Sequence, residues 1–525
     1  MRGVARILGL GCVALALAAG SLAAQGGQAG STRGKELYDK WCAGCHGETG
    51  RGDGPAAGYM LPRPRDFTQA LYQIRTTASG QLPTDEDLMK ILEQGMPGTA
   101  MPGWSSVLSP SDRREVIAYI KSFSPFFASG EAPEVVRIGR APRRSEEGIQ
   151  EGKELYQRLE CWKCHGNAGR GDGPSAPTLR DRDEYPIAAA DLTENWRFNG
   201  GGRVEDIFQR LVTGLDGTPM PSSKDLLDAG VVTEEQLWRL AQYVRSLSPE
   251  QPPRVQEIVR ARRIEGPVPQ HPDDSAWVQA EEFYIPLVGQ IIRPPRWFAP
   301  RVDGIFVSAL YDSEKLALRL RWHDPSESPD SAWAEWRGAI ARTMAPVDEP
   351  LDSLPRPDGV MVQFPRTIPD DVTRPYFLMG EPNNPVYLWR WQSAPRLAEA
   401  GRATGFGTFT ALPSGPDVPG YEAVFEDGEW RLVLTRALAA ADTASALSFA
   451  TGRPIPMAFF AWDGDNTEGG GRMAVSTWYY LVLEEPVPGT AYVTPVVAAM
   501  LTGLLGWVVV WRAQRRERTI SGARE

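Results

Sequence analysis

Two stretches of this chain, beginning near residues 34 and 148, repeat one another around a Cys-x-x-Cys-His motif. The motifs are Cys42-Ala43-Gly44-Cys45-His46 and Cys161-Trp162-Lys163-Cys164-His165. Lys35-Glu36-Leu37-Tyr38 precedes the first, and Lys153-Glu154-Leu155-Tyr156 the second. Gly50-Arg51-Gly52-Asp53-Gly54-Pro55 and Gly169-Arg170-Gly171-Asp172-Gly173-Pro174 follow at the same offset from the histidines. Further on, Gly98-Thr99-Ala100-Met101-Pro102 answers Gly217-Thr218-Pro219-Met220-Pro221, and each methionine stands 55 residues after its histidine. A repeat this extended predicts one structural unit built twice.

The motif itself specifies a chemistry. Two thiols and an adjacent imidazole in this order read as a covalent c-type haem attachment site, with thioethers from Cys42, Cys45, Cys161 and Cys164 and iron ligation by His46 and His165. A structural zinc site would need four Cys or His ligands in a closed tetrahedron. Met101 and Met220 are the candidate distal ligands, and His/Met ligation closes the iron and raises its potential. Met96 is the nearest rival in the first copy, and ordinary core packing is the plain alternative for both methionines. The two units, 34–125 and 148–249, resemble class I cytochrome c domains. That resemblance implies two small all-α folds, each around one haem.

The chain has five cysteines, and the two motifs use four. The fifth, Cys12, lies in a segment with Arg2 and Arg6 ahead of an apolar run over 7–24. A basic start, an apolar stretch and small residues predict a signal peptide over 1–24. Its removal would leave no cysteine for a disulfide, and the exported thiols would be occupied by haem.

Segments 128–147 and 249–272, rich in Pro, Gly and Arg, read as surface connectors. Beyond them, the texture over 272–487 changes to short alternating runs with ten of the seventeen tryptophans. Leu316, Leu318, Leu320 and Trp322 alternate with Ala317, Arg319 and Arg321, which predicts a strand with one buried and one wet face. Asp427-Gly428 between 421–425 and 430–434 predicts a tight hairpin, since both residues tolerate the positive φ such turns need. Such spacing predicts one antiparallel, all-β sandwich domain.

Within this region, Tyr376-Phe377-Leu378-Met379-Gly380-Glu381-Pro382-Asn383-Asn384-Pro385 and Ala458-Phe459-Phe460-Ala461-Trp462-Asp463-Gly464 resemble the gamma subunits of ethylbenzene dehydrogenase and related periplasmic molybdenum enzymes. The resemblance implies one non-covalent haem b held between a methionine and a lysine, and electron exchange with a molybdopterin and iron-sulfur partner. Met379 matches the family methionine. This chain departs at the lysine: Lys315 is the only one between Gln251 and Thr490, and Met473 stands in the family position. Met379 and Met473 are therefore the candidate haem b ligands, and two soft neutral ligands favour ferrous iron. His323, His271 and a sandwich without haem are the alternatives. Arg390 and Arg472 are candidates for pairing with a propionate or for an exposed strand face.

Residues 492–511 carry no charge and are long enough to cross a bilayer, and Arg512, Arg515, Arg516 and Arg518 follow. This predicts one C-terminal transmembrane helix, with the tail cytoplasmic and the main body periplasmic. A formal charge of -10 gives no basic footprint for nucleic acid. No nucleophile-base pair or phosphate loop stands out, so the expected role is a multihaem electron-transfer subunit of an oxidoreductase complex, not an enzyme in itself. Partners expected by resemblance are the molybdenum subunits and a soluble cytochrome or other respiratory carrier. The alternatives are a diheme cytochrome whose sandwich is a docking scaffold, and a sandwich that binds a small molecule or glycan.

Overall fold

A computed structural model describes residues 32–129, 133–344, 351–369, 373–485 and 490–521. The expected signal peptide and Cys12 lie outside the described residues.

The first repeat folds as helices α1 (Thr32–Trp41), α2 (Ala43–His46), α3 (Asp85–Gln94) and α4 (Pro110–Ser122). Ser109 caps α4 by accepting from the Asp112 N–H at 3.1 Å, and Pro110 occupies the first turn, where its missing donor costs nothing. Helices α1 and α4 cross at Gly34, where a Cβ would stand 2.4 Å from the Glu115 carbonyl oxygen. The second repeat has the same plan: α5 (Glu146–Arg158), α6 (Trp162–His165), α7 (Val204–Thr213), α8 (Lys224–Asp228) and α9 (Glu234–Ser246). Here α5 and α9 cross at Gly152, where a Cβ would lie 2.2 Å from the Arg239 carbonyl oxygen. Only glycine permits either approach.

The β region contains β1 (Ile258–Arg263), β2 (Glu282–Pro286), β3 (Val288–Gly289), β4 (Gly304–Tyr311), β5 (Lys315–His323), β6 (Gly359–Pro365), β7 (Val386–Ser393), β8 (Arg396–Ala403), β9 (Thr410–Ala411), β10 (Gly420–Glu426), β11 (Glu429–Ala437), β12 (Ile455–Trp462), β13 (Ala474–Val475) and β14 (Tyr479–Leu483), with helix α10 (Ala334–Thr343) between β5 and β6. Strand order is β10-β11-β5-β4-β1-β14-β12-β6-β7-β8-β9. Strand β12 turns the corner: Ile455 to Met457 pair with β14, and Ala458 to Trp462 pair with β6. The two halves face one another, with Trp391 of β7 against Trp430 of β11 at 4.8 Å between ring centroids. The Asp427-Gly428 hairpin forms as expected, with φ of 50° and 68° at the two turn residues.

Three expectations need correction. The stretch 249–272 is not all connector, because 258–263 forms β1, an inner strand whose alternating Val259 and Ala261 are fully buried. The expected start at 272 is thus too late; small apolar residues between arginines hid the strand. The sheet is also not wholly antiparallel, since β1 pairs parallel with both β14 and β4. Finally, the expected wet face of β5 is covered. Ala317 is buried with Leu310, Val433 and Trp277, the Arg319 guanidinium lies 5.1 Å from the Trp277 ring centroid, and Arg321 pairs with Glu282 and Glu429.

The three bodies touch. Arg75 of the first repeat is fully buried and reaches the Thr213 carbonyl oxygen at 2.9 Å and Asp216 at 2.8 Å in the second. Arg63 donates to the Thr343 carbonyl at the end of α10. The second repeat meets the β region through Arg170 and Glu429 at 3.1 Å, through Arg197 and Asp303, and through His323.

Helix α11 (Thr490–Ser521) ends the described chain. Within it, Val493–Arg516 is long and apolar enough to cross a membrane and is wholly unburied.

Candidate redox centres

Each Cys-x-x-Cys-His motif forms a single helical turn. The His46 N–H donates to the Cys42 carbonyl oxygen at 2.9 Å, and His165 to Cys161 at 3.0 Å, so the thiols and the imidazole of each motif share one short helix. The four described cysteines are unpaired, and burial pushes the Cys42 and Cys161 thiols up to about 12 and about 11.

The ring orientation is fixed in the same way twice. His46 Nδ1 lies 3.0 Å from the Arg65 carbonyl oxygen, and His165 Nδ1 lies 2.9 Å from that of Ala190. A proton on Nδ1 makes each a hydrogen bond and leaves Nε2 as the free lone pair, the arrangement that metal-ligating histidines adopt. Burial holds both imidazoles below the ordinary histidine range, which favours the neutral form a metal needs. The carbonyls are placed by equivalent loops. Phe67 N donates to the Gly50 oxygen and Leu192 N to the Gly169 oxygen, at 2.7 and 2.6 Å. Asp66 accepts from the Thr68 backbone and hydroxyl, as Asp191 does from Thr193.

The geometry shared by the two repeats extends to the motif's support. Tyr38 donates to the Gly47 carbonyl oxygen and Tyr156 to that of Gly166, at 2.7 and 2.6 Å. A Cβ on Gly54 would stand 2.6 Å from the Ala43 oxygen, and one on Gly173 would stand 2.4 Å from the Lys163 oxygen. This close approach explains the Gly54 and Gly173 pair of the repeat.

Met101 and Met220 occupy matching turns. Met101 N donates to Thr99 Oγ1 and Met220 N donates to Thr218 Oγ1, both at 3.2 Å. Met96 N donates to the Met101 carbonyl oxygen as Leu215 N does to that of Met220. The rival Met96 thus matches Leu215, and Met101 matches Met220. Met101 packs against the cluster containing Cys42, Tyr38 and Phe67, while Met220 packs with Cys161 and Trp162 against the corresponding cluster. In the first unit, Tyr72 Oη and Trp104 Nε1 are buried without a partner among the described residues. A porphyrin carboxylate is the kind of acceptor such donors need, so the residues present fit covalent haem.

The second candidate centre lies in the β region. Met379 and Met473 are both buried in one apolar cluster with Leu378, Val386, Phe460 and Trp462. Met361 belongs to it too and was missed in the sequence; it sits within β6, whereas the other two come from loops. Met379 has φ of 62°, a left-handed conformation that costs a non-glycine residue on the order of 1 kcal/mol and persists only where surroundings impose it. Gly405 N donates to its carbonyl oxygen at 2.8 Å, and Gln290 N donates to that of Met473 at 2.9 Å. Phe377 and Trp478 pack on this cluster and also line an open cleft of about 390 Å³ with Arg374, Tyr376 and Glu381. Arg390 is already engaged, pairing with Glu399 beneath Phe409.

The histidine alternatives lie elsewhere. His271 is exposed and its Nδ1 accepts from the Asp273 N–H at 3.2 Å. His323 faces the second repeat, between Asp191, Glu194 and Glu429. Neither belongs to the Met379 and Met473 cluster. The role of His323 was not legible in sequence, because its partners lie more than a hundred residues away.

Comparison with known proteins places these units. The cytochrome c family matches residues 31–124 and 149–248. A protein of Haloferax mediterranei described as a respiratory nitrate reductase heme subunit is 26% identical over 224 residues, 43% of this chain and 72% of that protein. Chlorate reductase subunit gamma of Ideonella dechloratans is 28% identical over 234 residues, 44% of this chain and 86% of its own. A chain from a Kuenenia stuttgartiensis reducing HAO-like protein complex is 44% identical, covering 42% of this chain and 97% of that one, with a TM-score of 0.39. The chain contains cytochrome c units and is homologous to haem subunits of respiratory reductases, which supports covalent haem c and an electron-transfer role.

Proposed function

We propose that this chain is a membrane-anchored multihaem relay, the cytochrome subunit that carries electrons between a periplasmic molybdenum and iron-sulfur oxidoreductase and the respiratory chain. The observation that carries the reading is the twofold anchoring of His46 and His165, each Nδ1 tied to a backbone carbonyl while a methionine turn of the same design packs against the motif's cluster. Haem supplies one-electron exchange when bound. The chain's residues do the rest. His46 with Met101, and His165 with Met220, would hold the iron of the two groups, so that neither unit would offer a vacancy for substrate. Thioethers from Cys42, Cys45, Cys161 and Cys164 would hold the two groups permanently.

A third, non-covalent haem b between Met379 and Met473 extends the reading. Its support is the burial of both methionines in one cluster apart from the main core, the imposed backbone of Met379, and a neighbouring cleft where Arg374 offers a cation. Relatives that bear the names of nitrate and chlorate reductase subunits favour a reductase or dehydrogenase partner of that class. The apolar helix at 490–521 suits anchoring, with the arginines after Trp511 on the cytoplasmic side.

A pyridine haemochrome assay on the purified full-length chain tests the cofactors. Two c haems and one extractable b haem per chain are expected. Two c haems alone would reject the Met379 and Met473 site, and no c haem would reject the relay. Membrane extraction followed by metal analysis of the co-purifying subunits tests the partner, with molybdenum and iron in excess of haem expected.

A further inference from the structure

Three strand ends bring three buried carboxylates together at the end of the β region that faces the second repeat. Asp324 follows β5, Asp358 precedes β6 and Asp463 follows β12. Their exposures are 1%, 0% and 2%, and one carboxylate oxygen from each lies within 4.8 Å of the others. Strand β5 belongs to one half of the folded sheet, and β6 with the far part of β12 to the other. The triad therefore bridges the two layers.

Its hydrogen bonding is incomplete in a specific way. Asp358 Oδ2 accepts from Ser328 N and Trp430 Nε1 at 2.7 and 3.1 Å, and Oδ1 from Gly464 N at 2.9 Å. Asp463 Oδ1 accepts from Asp465 N, Asn466 N and Ser328 Oγ. Asp324 Oδ1 accepts from Ser326 N at 3.2 Å, but its buried Oδ2 has no partner among the described residues. Two neighbouring cations offset the triad's charge in part, Arg301 at Asp324 and Asp463 and Arg337 at Asp463. Arg337 pairs with Asp465, and the Arg301 guanidinium lies over the Trp333 and Trp336 rings at 5.6 and 5.3 Å. Three like charges in a dry site repel strongly, and an unpaired buried carboxylate is among the costliest groups a fold can hold. Burial pushes all three carboxyls above the ordinary range, and neighbouring carboxylates add to the rise at Asp324 and Asp358.

We infer that Asp324, Asp358 and Asp463 bind one hard divalent cation, calcium by preference, which clamps the two halves of the β region together. Oxygens that share one calcium ion at about 2.3–2.6 Å can be no more than roughly 5 Å apart, as these are. An all-oxygen donor set without His or Cys excludes the softer metals. Magnesium keeps several of its own waters and demands octahedral geometry, which a fully buried carboxylate triad does not suit. The clamp also supports the docking face of the second repeat. Asp324 N donates to the Gly428 carbonyl oxygen at 3.1 Å, and Gly428 itself packs against Arg170 and Asp172.

The test uses the full-length, haem-loaded chain after chelation with EGTA and dialysis. Terbium titrated under tryptophan excitation should light up at one ion per chain, sensitised by Trp430 on Asp358, and calcium should displace it. Asp324→Asn, which keeps the shape and removes the charge, should weaken terbium binding by about tenfold or more, because affinity follows ligand charge. Calcium should raise the unfolding temperature of the wild type over its EGTA-treated form, and should do so less or not at all in Asp324→Asn. The c-haem absorption serves as the folding control for this variant. Wild type that binds no more terbium than Asp324→Asn, or a variant as stable as or more stable than wild type in calcium, would overturn the inference.

Discussion

His323 Nδ1 stands 2.5 Å from Asp191 Oδ2, so the end of β5 is joined by a charged contact to the loop that orients His165 of the second motif. Asp191 follows Ala190, whose carbonyl oxygen holds His165 Nδ1. Glu194 at 3.3 Å and Glu429 at 3.6 Å complete an acidic surround for His323. The β region thus grips the second cytochrome unit within one residue of the carbonyl that orients the His165 imidazole.

This grip predicts a pH window. Burial alone would lower the His323 pKa from its ordinary 6.5, but Asp191 and Glu194 outweigh it and raise it to about 9. The same contact holds Asp191 and Glu194 below the carboxylate range against the opposing effect of burial. A raised histidine contributes fully below pH 6.5 and loses its contribution as pH climbs through about 9. The depressed carboxylates contribute above their ordinary values and lose that contribution on acidification. Unfolding measured from pH 5 to 10 should show stability falling as pH rises from about 6.5 to about 9, and His323→Ala should flatten that fall while costing about 3 kcal/mol at neutral pH, the scale for breaking a buried pair. A wild-type profile unchanged between pH 8 and 10 would contradict the assignment.

Loss of a distal methionine should open its iron. Met101→Ala and Met220→Ala should each keep covalent haem, lower the potential of one centre and create carbon monoxide binding at one haem per chain. Difference spectroscopy of the reduced protein reads this directly; a variant that binds no carbon monoxide would remove that methionine from the ligand set.

The β-region site calls for a different readout. Met379→Ala and Met473→Ala should each abolish extractable haem b while leaving two covalent haems. Met361→Leu, within β6, should retain all three. Retention of haem b in either loop variant, or its loss in Met361→Leu alone, would shift the ligand assignment to Met361.

Arg75 offers a test of how the two cytochrome units are coupled. Its guanidinium is fully buried and donates to the Tyr72, Ala78 and Thr213 carbonyls as well as meeting Asp216. Arg75→Met should cost about 3 kcal/mol, because Asp216 loses its cation inside the interface. Chemical denaturation should then separate into two haem transitions; a single transition at the wild-type midpoint would show that this contact does not couple the units.

Local patterns in the sequence were enough for everything that closes within a few residues. One helical turn suffices to join two thiols to an imidazole, so the attachment motifs, their repetition and the matched turns before Met101 and Met220 could be read directly. The Asp427-Gly428 hairpin and the apolar helix at 490–521 were legible for the same reason, since positive φ and uninterrupted hydrophobicity are properties of short segments. Strand β1 was not, because Val259 and Ala261 between arginines look polar until both neighbouring strands cover them. The tertiary structure alone decided that Asp191 meets His323, that Met361 joins Met379 and Met473, and that Asp324, Asp358 and Asp463 converge. Those groupings depend on which strand ends and loops the sheet brings together. Buried charges and thioethers carry no periodic signal along the chain; only the folded sheet, bent at β12, sets the distances between them.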